Sequence, residues 1–164
     1  VLLWTAAYLL AIVLHEVAHL VAARLAGIRV ERFFIGLDAG DFALLRYRRD
    51  ATTWGIGWLP LGGYVKLVGL PGPSIAFPPS YDYRSKSNGL KAMVIGIAPA
   101  LNVVAGLLLM NADESLWYQP FAVMQLWLGV WNLIPRPGTD GHHLMSLLRA
   151  VLFSPRTSRP TSQP

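Results

Sequence analysis

The chain has 164 residues, 54% hydrophobic and 14% charged, with a formal net charge of +5. That length suits one domain, but soluble domains carry about a quarter charged residues, so an ordinary water-dissolved core is disfavoured. Cysteine is absent, which excludes disulfides and thiolate metal sites.

Residues 1–23, 90–110 and 115–135 are nearly free of charge. Each approaches the ~20 residues with which a helix crosses a bilayer core, so three crossings are expected. The first has no basic start and is too long for the apolar part of a signal peptide. The chain opens on Val1 and not Met, as a fragment would. A helix over 1–27 stops at Gly27. Residues 28–89 form a β-rich loop. Within it, 42–48 and 53–59 flank the polar turn Arg49-Asp50-Ala51-Thr52, which reads as a hairpin. An exposed edge at 53–58 would accept an extended peptide as one more strand. The stretch 70–80 carries four prolines and reads as a loop. A second helix covers 90–110. A third, broken one covers 115–153, because Pro135, Pro137 and Gly138 interrupt it. A new helix starts at Asp140. Residues 1–153 make one core, and 154–164 form a disordered tail.

Charge sets the expected orientation. Residues 24–91 hold ten Lys or Arg against five Asp or Glu, whereas the turn 111–115 holds Asp113 and Glu114 and no base. Basic loops stay on the cytoplasmic side. The loop and the C-terminus are therefore expected inside, with the N-terminus and the acidic turn outside. Arg46, Arg48 and Arg49 suit anionic headgroups, and the expected partner of the basic charge is the bilayer, not nucleic acid. Trp54, Trp58, Trp117, Trp127 and Trp131 read as interface anchors and packing.

The chemistry is concentrated in His15-Glu16-Val17-Ala18-His19, an H-E-x-x-H pattern. Positions i and i+4 of a helix share a face about one turn apart, so both imidazoles can reach one zinc ion. Glu16 sits beside them, placed to take a proton from water. Ionisable groups in an apolar helix are costly and usually functional. Ala11, Ala18, Ala22 and Ala26 share that face and let another helix approach. A catalytic zinc takes three protein ligands and keeps one open position. His142, His143 and the acids are candidates for the third; Asp140 leads them, although Asp is equally at home as a helix N-cap. Asn102, within the second apolar stretch, suits either a substrate backbone contact or an interhelical hydrogen bond.

The motifs together resemble the site-2 protease family of intramembrane zinc metalloproteases. His15 to His19 match the H-E-x-x-H of its first core helix. Leu59-Pro60-Leu61-Gly62-Gly63-Tyr64-Val65-Lys66 resembles the stretch after its membrane-dipping β-hairpin. Gly96-Ile97-Ala98-Pro99-Ala100-Leu101-Asn102 is similar to its A-G-P-x-x-N. The run Asn132-Leu133-Ile134-Pro135-Arg136-Pro137-Gly138-Thr139-Asp140-Gly141 matches its N-x-x-P-x-P-x-x-D-G. Ala98 stands in place of the usual Gly, Thr139 in place of Leu, and His142 in place of a second Gly.

The resemblance implies Asp140 as third ligand and Asn132 as a substrate contact. It implies an α-helical membrane protein with a three-transmembrane-helix metalloprotease core and a small membrane-associated β-hairpin element. It implies a multi-pass zinc endopeptidase, in a bacterial cytoplasmic membrane, cutting in or near the transmembrane segments of other proteins. Many relatives carry a PDZ domain between the second and third helices, and the short connection 111–115 leaves no room for one. A catalytically silent scaffold that binds transmembrane helices, and a soluble zincin-type hydrolase, are the alternatives.

Overall fold

The computed structural model describes residues 1–38, 42–70, 77–111 and 118–153. The 154–164 tail, Trp117 and most of the 70–80 loop and of the acidic turn lie outside them.

Four helices and a four-stranded sheet make up the described chain: α1 (Leu2–Leu25), β1 (Val30–Leu37), β2 (Ala43–Arg49), β3 (Thr52–Gly57), β4 (Leu59–Leu67), α2 (Asn88–Met110), α3 (Gln119–Leu133) and α4 (Asp140–Phe153). α1 and α2 are both long and apolar enough to cross a membrane, with mean hydropathies of 1.8 and 2.2 over their best windows. At 1.5 Å per residue they span about 36 and 35 Å.

Of the three expected crossings, α3 is the one whose described residues fall short of a span. It has 15 residues, about 22 Å of helix, short of a bilayer core of ~30 Å. Pro120 sits at its start, and Ile134, already extended, ends it before Pro135. Among the described residues two helices, not three, meet the length of a span.

The exposed faces of α1 and α2 carry large apolar side chains. On α1 these include Leu3, Leu10, Leu14, Val17 and Val21; on α2 they include Leu101, Val104 and Leu108. The α1 residues recur every three to seven positions and so form one stripe. Its opposite face is buried and holds Ala11, Ile12, His15 and Glu16.

The loop 28–89 holds more than a hairpin. The sheet order is β2-β3-β1-β4, with β1 parallel to β3 and antiparallel to β4. The hairpin β2–β3 does form. Arg49 pairs with Thr52 across Asp50 and Ala51, both at positive φ, the primed geometry that matches strand twist. However, β3 is flanked by β2 and β1, so no open edge exists at 53–58 and the expectation of strand addition there is overturned. The outer strands are β2 and β4. A Glu31–Lys66 ion pair of 3.0 Å, with Glu31 buried, ties β1 to β4.

The core lies where the sheet meets the helices. Ala23 of α1, Phe33 of β1, Leu67 of β4, Tyr83 and Val94 of α2 pack together there. Trp54 belongs to this region and not to a free interface belt: it packs on Phe33 at 5.2 Å and lies under the Arg24 guanidinium at 5.3 Å. Trp58 and Trp127 are about half exposed, and Trp127 stacks on Trp131. α3 closes on α2 at Gly129, where a Cβ would stand 2.8 Å from the Pro99 carbonyl oxygen.

Candidate metal centre

The site is assembled from α1 and from the start of α4. Their register places His15 Nε2 at 3.1 Å and His19 Nε2 at 3.2 Å from the same Asp140 carboxylate oxygen. The ligand atoms of His15, His19 and Asp140 all lie within 4.8 Å of one another. Donors around a tetrahedral zinc at ~2.0–2.1 Å stand roughly 3.3 Å apart, so the two His–Asp separations already match the edge of such a site. Two neutral imidazoles and one carboxylate are the donors zinc accepts. The residues present therefore fit the ion.

Each imidazole is held from behind. His19 Nδ1 lies 3.0 Å from the Val94 carbonyl of α2, to which it can only donate. His15 Nδ1 lies 2.7 Å from Asn102 Oδ1, also of α2. With both Nδ1 atoms engaged, both Nε2 atoms are turned toward Asp140, the pattern by which metal-binding histidines are oriented.

The competing role of Asp140 as a helix cap falls to its neighbour. Thr139 Oγ1 lies 3.2 Å from the Arg136 amide and 3.4 Å from the His142 amide, and can accept from both. It also lies 2.6 Å from the Ile134 carbonyl, to which it can donate. Thr139 thus closes the Pro-rich break and occupies the capping position, leaving the Asp140 carboxylate for the histidines. Gly141 allows this packing, since a Cβ there would come within 2.2 Å of the Leu133 carbonyl oxygen. In the sequence Thr139 is visible only as a departure from the usual Leu; its capping role depends on the folded break.

Glu16 is buried, and it lines a cavity of about 180 Å³ together with His15, His19, Asp140 and Asn132. β4 forms another wall of it. Gly63 is the point of closest approach, where a Cβ would stand 2.7 Å from Glu16 Cγ. The glycine-rich strand therefore serves intimate packing against the motif.

Of the remaining sequence candidates, Asn132 lines the cavity and its amide donates to the Leu128 carbonyl at 3.1 Å. Asn102 is only 2% exposed and stands behind His15, away from the cavity wall. His143 lines the cavity, while both His142 and His143 are exposed and stand outside the ligand group. Gln125, absent from the expected site, is buried and accepts a hydrogen bond from Asn102 Nδ2. An amide within an apolar stretch is its one sequence signal.

An H-E-x-x-H helix facing a distant carboxylate, with both imidazoles oriented from behind and an acid beside them, defines a metallopeptidase-type site whose motif helix, α1, is membrane-compatible. Residues 4–113 match the model of peptidase family M50. The chain belongs to that family, the site-2 proteases that its motifs resemble. It is 29% identical over 123 residues to zinc metalloprotease Rip1 of Mycolicibacterium smegmatis, covering 73% of this chain and 30% of that protein. It is 35% identical over 111 residues to the regulator of sigma-E protease RseP of Salmonella typhimurium, covering 63% and 24%. The chain spans under a third of the length of these curated relatives.

Proposed function

We propose that this chain is the catalytic core of a zinc-dependent endopeptidase that cuts membrane proteins in or near a transmembrane segment. The observation that carries the reading is the convergence of His15, His19 and Asp140 on one point, with Glu16 lining the same cavity. Family membership and the relatives' zinc metalloprotease names support it. The apolar stripes on α1 and α2 favour a bilayer over the soluble alternative, because exposed patches of that kind are rare on soluble monomers.

His15, His19 and Asp140 would hold the ion. When bound, zinc polarises a carbonyl and makes water acidic enough to be a nucleophile near neutral pH. Glu16 takes the proton of the attacking water and delivers it to the leaving amine. Asn132, on the cavity wall, holds substrate near these groups. The direct test of the reading is zinc-dependent cleavage of a transmembrane peptide by the detergent-solubilised protein. A protein that binds zinc and leaves every such peptide intact would favour the silent-scaffold alternative.

A helical substrate hides its peptide groups in its own i to i+4 hydrogen bonds. It is therefore met as an extended stretch, and among the described strands β4 is the outer one that borders the cavity. Proline lacks the N–H that a paired strand donates. Single prolines at 61–66 are expected to lower cleavage at alternate positions while zinc content persists, because successive N–H groups face opposite edges. Equal losses at all six positions would mean unfolding and remove the support for strand addition.

The core is taken as 1–153 and multi-pass, with 24–91 facing the cytoplasm of a bacterial cell. The excess of basic residues supports this orientation. A reporter inserted in the 70–80 loop should read as cytoplasmic, and an external reading would reverse the topology. The membrane assignment itself predicts that detergent, and not carbonate, is needed to extract the protein.

A further inference from the structure

Asn102 and Gln125 have no place in the mechanism above, yet both are polar and nearly inaccessible, at 2% and 3% exposure. They come from two helices and meet behind a ligand on a third: Asn102 lies on α2, Gln125 on α3 and His15 on α1. Polar side chains without a partner in such surroundings are costly, so what they satisfy is informative.

The hydrogen bonds permit one arrangement. Asn102 Nδ2 lies 3.3 Å from the Ala11 carbonyl oxygen, which can only accept, so the amide nitrogen must face α1 there. The same NH2 group donates to Gln125 Oε1. The Asn102 oxygen is thereby turned toward His15 Nδ1, at 2.7 Å. An amide oxygen can only accept, so Nδ1 carries the proton. In the neutral ring the other nitrogen, Nε2, is then left with its lone pair directed to the ligand cluster. Val94 does the same for His19 through its backbone. For His15 a side chain, that of Asn102, supplies the acceptor.

We propose that Asn102 is a positioning residue for the metal centre, fixing the tautomer and ring orientation of His15, and that Gln125 acts through it by locking the Asn102 amide. α3 is thereby coupled to the metal without contributing a ligand. The proposal rests on the zinc reading above. Outer partners of metal-binding histidines are typically worth 10–100-fold in metal affinity.

The test is zinc affinity of the detergent-solubilised full chain, measured by chelator competition, alongside the melting temperature of the metal-free protein. Asn102→Ala should weaken zinc binding by about 10–100-fold. Gln125→Ala should weaken it less, and the double variant should be no weaker than Asn102→Ala, since residues in one network do not add. Asn102→Asp keeps an acceptor opposite His15 Nδ1 and should recover most of the affinity. The cobalt-substituted protein should show a changed d–d absorption spectrum in Asn102→Ala and a near wild-type one in Asn102→Asp. A purely structural role would lower the melting temperature of the metal-free protein and leave zinc affinity and the cobalt spectrum of the folded fraction unmoved. That result, fully additive losses, or an Asp variant as weak as the Ala variant would overturn the proposal. Should the wild-type chain itself bind no zinc, the zinc reading fails instead, and the two failures are told apart by that one control.

Discussion

Glu16→Gln is expected to abolish cleavage while leaving zinc content at the wild-type level. Glu16 lines the cavity beside His15, His19 and Asp140 but stands outside that group. Glutamine keeps the size of the side chain and replaces an acceptor of protons with an amide that cannot take one. A positioned general base contributes on the order of 10²–10⁴-fold, so the residual rate should fall by at least the lower figure. Gly63 packs against the Glu16 stem, and the isosteric change leaves that contact undisturbed. The measurement is turnover of a transmembrane peptide with zinc quantified in the same sample. Wild-type turnover by Glu16→Gln would remove Glu16 from the role of base.

The second large effect is on the metal itself. Asp140→Ala is expected to lower zinc affinity by more than the roughly 10–100-fold that an outer partner is worth, because it would delete one of the three proposed donors. His15→Ala should do the same. Asp140 also joins α4 to α1 through both histidines, so its loss removes the contact that draws the broken helix onto the motif. The two effects are separable: Asp140→Ala should alter zinc content at every metal concentration near the wild-type dissociation constant, whereas a variant that merely loosened α4 would load fully. Because Thr139 and not Asp140 carries the cap, Asp140→Ala should leave α4 helical by circular dichroism. Full zinc occupancy in Asp140→Ala would return that residue to a structural role.

What the amino-acid order determines alone is what lies within one element. The spacing of His15 and His19 needs only a helix of 3.6 residues per turn, and α1 is that helix. The stop before Pro135 and the restart at Asp140 follow from local backbone preferences in the same way, whereas the hairpin turn holds Ala51 at a positive φ that alanine disfavours. Length and apolarity suffice to mark α1 and α2. The third apolar stretch supplies α3, whose described residues Gln119–Leu133 are fewer than those of α1 or α2.

Tertiary structure decided everything that requires two distant segments to meet. A strand that reads locally as half of a hairpin becomes an inner strand only because β1, more than a dozen residues earlier, pairs with it in parallel. No local pattern encodes that partner, since a strand offers hydrogen-bonding groups on both sides. The choice between ligand and cap for Asp140 was even in the bare sequence, because one carboxylate suits both. In the folded chain Thr139 takes the capping position over the Pro-rich break and the Asp140 carboxylate lies 3.1–3.2 Å from both histidines of α1, which supports the ligand reading. The case of Asn102 is alike. An amide in an apolar helix must find partners somewhere, but whether they belong to a substrate or to His15 depends on which helix packs against it, and that is a property of the assembled bundle.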